Sequence, residues 1–250
     1  TYERTNSIGC DDLGVIGINA QEDCDDLKSK INSLNTGVKS TLQSLKNVVN
    51  QNGESGTSFK NDGGNYSYTD LPNTTGNSIG LKSGGGYFAG AHSHPVASTY
   101  PMYSWNDLYV LFQLELNSPG DLKEEVTLYL ASTEYFPPSS SSTNVYALKI
   151  NNIKEFRRNL ANDLNNIVKE NPKLNVNSSI KDRAEAINKK LGKKYEKAGT
   201  GKQEKTFLEF FKNHNINLYK ANNDITKWSK IELATFNPTS SGVIEIPCND

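Results

Sequence analysis

The sequence predicts a mixed α+β fold, a β-sheet flanked by helices and continued by a C-terminal extension of helices and short strands. Three features carry that expectation. Alternating strand-like runs and turn residues fill positions 51–150, helical spacing of apolar residues dominates 153–213, and short strand-like runs return after 216. At 250 residues the chain suits one domain of generous size, or one and a half.

Taken in order, residues 1–50 are expected to form a lead-in and an amphipathic helix, 51–150 the core, and 151–250 a helical and β extension packed on it. Leu27, Ile31, Leu34, Val38, Leu45 and Val48 recur at helical spacing, so one helix is expected over Asp25–Asn50, with a soft spot at Gly37. Thr57–Lys60 and Tyr66–Tyr68 flank Asn61-Asp62-Gly63-Gly64, which reads as a hairpin. Gly84-Gly85-Gly86 lacks the Lys-Ser/Thr of a phosphate loop and reads as a turn or a flexible rim.

Tyr87–His94 reads as a strand and Ser104–Leu116 as a helix stopped by Asn117-Ser118-Pro119-Gly120. Val126–Ala131 and Val145–Ile150 read as strands around a Pro-Pro-Ser-rich loop. Helices follow at Ile153–Val168, Ile180–Lys197 and Thr206–Asn213, then strands at Ile216–Lys220, Ile231–Ala234 and Val243–Ile246.

Composition excludes more than it selects. With 27 Lys+Arg against 28 Asp+Glu, bulk charge names neither nucleic acid nor an anionic membrane surface as partner. The basic run from Lys181 to Lys205 is interleaved with Asp182, Glu185, Glu196 and Glu204 and has no stacking aromatics, so it reads as a solvated helix face. No run approaches the roughly 20 apolar residues of a membrane span. The chain starts at Thr1 and has one methionine, Met102, from which a processed or excised protein is expected.

Cys10, Cys24 and Cys248 are too few and too scattered for a four-cysteine zinc site. A Cys24–Cys248 bridge, tying the N-terminal helix to the C-terminus, is expected in an oxidising compartment; three reduced thiols are the other reading. With the Asn/Ser/Thr-rich loops, the bridge points to a secreted, periplasmic or cell-surface protein. Sequons at Asn65, Asn73 and Asn177 matter only where such proteins are glycosylated.

Chemistry concentrates in one stretch. His92 and His94 lie two apart on the expected strand, so both imidazoles project from one face. Ser104-Trp105-Asn106-Asp107 opens the next helix, whose first turn can aim Asp107 back at the strand end. Two imidazoles and a carboxylate are a ligand set for a catalytic zinc that keeps a fourth position for water. Ser104 followed by Asp107 is also close to a capping box, which needs no metal. Tyr100, Tyr103 and Trp105 flank the stretch as candidate groove residues, while core packing accounts equally for Trp105 and Tyr109. His214 is expected to be a surface residue at a helix end.

Ala91-His92-Ser93-His94-Pro95 together with Ser104-Trp105-Asn106-Asp107 resembles the motif of the JAMM (MPN+, JAB-like) zinc metalloproteases. The resemblance covers roughly residues 50–150. It implies a cytidine-deaminase-like sheet flanked by helices, Zn2+ held by His92, His94 and Asp107, Ser104 supporting the oxyanion, and an upstream glutamate as general acid/base. Between the long helix and His92 the only glutamate is Glu54; Glu22 is the fallback. Twelve residues separate His94 from Asp107 where the family has about ten, an excess that a longer loop at 96–103 absorbs at small entropic cost.

The implied reaction is hydrolysis of a peptide or isopeptide amide bond in a peptide or protein substrate. One rival is a non-catalytic binding module of the same architecture. Another is an effector or toxin-type metallohydrolase acting on a phosphodiester, which needs a basic cleft that residues 84–107, without Lys or Arg, do not supply.

Overall fold

The structure, a computed structural model, describes residues 18–71, 78–95, 101–133, 143–199, 201–234 and 241–248. At the N-terminal end, α1 (Ile18–Asn32) and α2 (Val38–Val48) replace the single helix expected over Asp25–Asn50. The apolar period is continuous, but the chain turns at Gly37, whose φ of 69° is costly for any residue with a Cβ. Thr36 stabilises the corner by donating its hydroxyl to the Lys30 carbonyl at 2.6 Å. Cys24 therefore sits inside α1 rather than at a helix start.

A hairpin of β1 (Gly56–Asp62) and β2 (Asn65–Leu71) follows, closed by the Gly64 N–H donating to Asn61 Oδ1 at 2.8 Å. Next come β3 (Tyr87–Ser93), α3 (Trp105–Asn117), β4 (Thr127–Thr133), β5 (Thr143–Ile150), α4 (Ile153–Glu170), α5 (Ile180–Ala198) and α6 (Gln203–Phe210). The last strands are β6 (Ile216–Ala221), β7 (Trp228–Leu233) and β8 (Val243–Pro247). The loop expected around 137–143 lies almost wholly outside the described residues.

All eight strands join one sheet in the order β2-β1-β3-β4-β5-β6-β7-β8. Every neighbouring pair is antiparallel except β3 and β4, and a parallel pair needs a crossover, which α3 provides. The strands of the C-terminal extension thus continue the sheet of the central segment.

Both faces are covered, which explains why β4 is buried at every position. Leu128 and Leu130 point to a core shared with α3, α4, α5 and α6. Tyr129 and Ala131 point to a second core under α1 and α2, with Phe59, Phe88 and Trp228. On that second side Lys30 reaches Glu125 and the Tyr66 hydroxyl, and Lys149 reaches Asp26 at 2.6 Å, so the two buried ammonium groups are paired. Among the described residues, no helix is long and apolar enough to cross a membrane.

Cys24 and Cys248 are bonded, closing a loop across 224 positions. Such a cross-link restricts the unfolded chain far more than the folded one. Reduction, or Cys24→Ser, is expected to cost roughly 2–5 kcal/mol of stability, measured as a fall in Tm under dithiothreitol.

Candidate metal centre

The centre forms where β3 ends and α3 begins. Antiparallel pairing sets Gly56 of β1 opposite His92, and parallel pairing sets Leu130 of β4 on its other side. His94 continues the ladder with its N–H donating to the Ala131 carbonyl at 2.9 Å. With a period of two, both rings emerge on the α3 side of the sheet, and their Nε2 atoms stand 3.1 Å apart. Both residues are buried.

The capping box is present, and it is what aims the third candidate ligand. Ser104 is extended (φ −92°, ψ 173°), accepts from the Asp107 N–H and returns its own N–H to Asp107 Oδ2 at 2.6 Å. That closure turns the Asp107 carboxylate toward the strand, placing Oδ1 at 3.2 Å from His92 Nε2 and Oδ2 at 3.6 Å from His94 Nε2. The Ser104 hydroxyl also donates to Oδ2, at 2.8 Å.

Glu54 reaches the same spot from the turn before β1. The turn is tied to β3 by the Ser93 N–H donating to the Ser55 carbonyl at 2.8 Å and the Ser55 N–H donating to Ser93 Oγ at 3.1 Å. Glu54, only 5% exposed, joins His92, His94 and Asp107 in lining one cleft. Glu22 lines a separate, larger cavity with Asp23 and Asp26, so only Glu54 is near the histidines.

Burial and mutual charge tune these groups. Burial pushes the Glu54 carboxyl from 4.5 up to about 7; the charge of His92 opposes the rise, the Asp107 carboxylate adds to it, and the Ile79 N–H opposes it. For Asp107, burial alone acts upward, but the charge and hydrogen bond of His92, then His94 and the Ser104 N–H, hold it well below the usual carboxylate range. Burial acts downward on His92 and is outweighed by Asp107 and Glu54, so its imidazole lies above 6.5.

The ligand atoms of His92, His94 and Asp107 all lie within 4.8 Å of one another, so the group could hold a metal ion. Their spacing carries a sharper test. Bond lengths of about 2.0–2.2 Å in a tetrahedral zinc site put neighbouring ligand atoms about 3.3–3.5 Å apart. His92 and His94 Nε2 stand 3.1 Å apart and Asp107 Oδ1 lies 3.2 Å from His92 Nε2, close to that spacing, while the 3.6 Å approach to His94 is made by the other carboxylate oxygen, Oδ2; the donor types and their spread suit such an ion once a single oxygen serves as the third donor.

The cleft has a volume of about 420 Å3. Beyond the ionisable groups its walls are Ile79 and Leu81, Met102, Tyr109 and Val110, and Asn188, Leu191 and Tyr195 of α5. Leu81 packs over β3, and a Cβ on Gly90 would stand 2.6 Å from Leu81 Cδ1 and push that side chain aside. Among the described lining residues none is Lys or Arg.

The contribution of α5 has no sequence signal near the motif, since Asn188 and His94 are brought together only by packing. Trp105 and Tyr103 are core residues, whereas Tyr109 is 37% exposed and lines the cleft; Tyr100 lies outside the described residues. His214 is not on the surface as expected. It is 4% exposed, packs edge-on against Phe211 and Phe156, and bonds Asp163.

No protein-family model matches this sequence, and neither a curated protein nor a solved structure matches the chain.

Glu54 keeps its proton to about pH 7 in the folded protein but releases it near 4.5 when unfolded, so the stability it lends is full below 4.5 and is lost as pH rises through 7. The metal-free Glu54→Gln variant, which has no such loss, is expected to gain on the order of 3 kcal/mol over wild type between those limits, measured by urea unfolding. The raised His92 works in the opposite sense for metal uptake. Zinc competes with its proton, so affinity is expected to rise with pH until the imidazole is deprotonated, a point that lies above 6.5, measured by chelator competition.

Proposed function

We propose that the chain is a zinc-dependent hydrolase of peptide or isopeptide bonds, of the JAMM/MPN+ type, with His92, His94 and Asp107 holding the metal. The observation that carries this reading is the convergence of those three ligand atoms within 4.8 Å beside a buried Glu54 whose pKa lies at about 7. A carboxyl poised near neutrality beside the three candidate ligands has the pKa that a general base needs.

A zinc ion in this set supplies Lewis acidity, polarising an amide carbonyl and lowering the pKa of a water to about 7. Glu54 accepts a proton from the attacking water and returns it to the departing amine nitrogen. Ser104 lines the cleft, and its hydroxyl, on swinging its proton from Asp107 Oδ2, donates to the developing oxyanion, an interaction worth roughly 3–4 kcal/mol in comparable sites. The capping box meanwhile keeps Asp107 ionised and oriented. The apolar walls exclude water and suit an uncharged amide segment; their lack of Lys or Arg among the described residues disfavours a phosphodiester. The Cys24–Cys248 bond supports action in an oxidising, extracytoplasmic compartment.

Zinc stoichiometry tests the reading first. Wild type is expected to carry about one zinc per chain, lost in His94→Ala and Asp107→Ala, while Glu54→Gln keeps the metal. On a peptide library, Glu54→Gln is expected to cleave about 100-fold or more slowly. A folded wild type that takes up no zinc on reconstitution, or a zinc-loaded one that cleaves neither peptide nor isopeptide bonds, would overturn the proposal.

A further inference from the structure

The first turn of α3 carries Ser104 and Asp107, and it is gripped by the helices that follow residue 151. Trp105, its first residue, is 1% exposed. The indole Nε1–H donates to Asp163 Oδ2 of α4 at 2.9 Å, and the backbone N–H donates to Asn188 Oδ1 of α5 at 2.8 Å. Just before it, the Tyr103 carbonyl accepts from the Tyr195 hydroxyl of α5 at 3.0 Å. Asp163 is itself fixed: its Oδ2 also lies 2.9 Å from His214 Nε2, which makes that nitrogen the donor. These contacts come from residues 163–214, outside the segment that carries the metal motif.

From this we infer that Asp163 and Asn188 are positioning residues of the metal centre, acting through Trp105 to set where Asp107 points; the inference rests on the metal reading above. A helix start held only by its own capping box can pivot about the box, because the box fixes Asp107 relative to Ser104 and not relative to the sheet. Two bonds on Trp105, from different helices and at different atoms, remove that freedom. His214 fixes the acceptor in turn, so a relay runs from the end of α6 through α4 to the ligand helix. A buried indole N–H requires an acceptor in any case, and a neutral oxygen meets that need alone. A carboxylate oriented by a histidine gives a stiffer, charge-assisted bond.

Zinc affinity separates positioning from plain stabilisation. Asp163→Leu and Trp105→Phe are each expected to weaken zinc binding about tenfold, the lower end of what loss of an outer partner costs a metal site. The double variant is expected to be no weaker than either single one, because both remove the same bond. Asp163→Asn, which keeps an acceptor oxygen for the indole, is expected to restore affinity to within about threefold of wild type. Ile167→Ala, a cavity in the core face of the same helix, is the control that lowers Tm without changing affinity.

Should Asp163→Leu fail to fold, the half-buried Asn188→Ala carries the test, with the same expected direction. Wild-type zinc affinity in Trp105→Phe and Asn188→Ala, at any loss of Tm, overturns the inference. A wild type that binds no zinc overturns the metal reading and this one with it, and is told apart because the failure is in the parent protein.

Discussion

The carboxylate of Asp107 sits at the junction of two demands that the rest of the molecule is arranged to satisfy. One is local: a helix start has free N–H groups, and a Ser104/Asp107 pair closes them. The other is electrostatic: His92, buried and above its usual pKa, faces Asp107, partly buried and below its own, and an unpaired charge in that position is strongly unfavourable. A single side chain meets both because its two oxygens face different ways. Glu54, in the same low-dielectric pocket, then finds one anion already present and retains its proton to near neutrality.

Holding such a cluster in place requires a rigid frame. The frame is the pair β3 and β4, the one parallel pair in the sheet, with α3 crossing between them. In this arrangement the carboxyl end of a strand and the amino end of the following helix lie side by side, the usual location of sites in open α/β layers. Antiparallel β1 brings Glu54 to the same end by register alone, since Gly56 pairs with His92. Behind the sheet, α1 and α2, the paired Lys30 and Lys149 and the Cys24–Cys248 bond close the opposite face. In front, the helices after residue 151 wall the cleft and grip Trp105.

How far the chain could be read in advance varies with the range of the interaction concerned. Helices α3, α4 and α5 and the strands around them follow from apolar spacing and from flanking breakers such as Asn117-Ser118-Pro119-Gly120, all within a few residues. The α1–α2 corner was harder, because the apolar stripe runs on through it and the break depends on one backbone angle at Gly37. The burial of His214 is hidden from the sequence for a similar reason. A histidine at a helix end among asparagines looks solvated, and only the distant Asp163 shows why it is inside.

Local chemistry therefore marks the candidate donors: alternation along β3 puts His92 and His94 on one face, and the Ser104 to Asp107 spacing makes a capping box. The upstream glutamate that the family resemblance implies has one candidate between the first helices and the motif, Glu54. Folding settled everything that depends on distance through space. It brought Glu54 rather than Glu22 to the histidines, moved Trp105 into the core, and supplied Asn188, Leu191 and Tyr195 as a cleft wall. The difference follows from the forces involved: backbone periodicity and capping act within one or two turns, whereas burial, charge and side-chain packing act between segments whose separation along the chain says nothing of their separation in space.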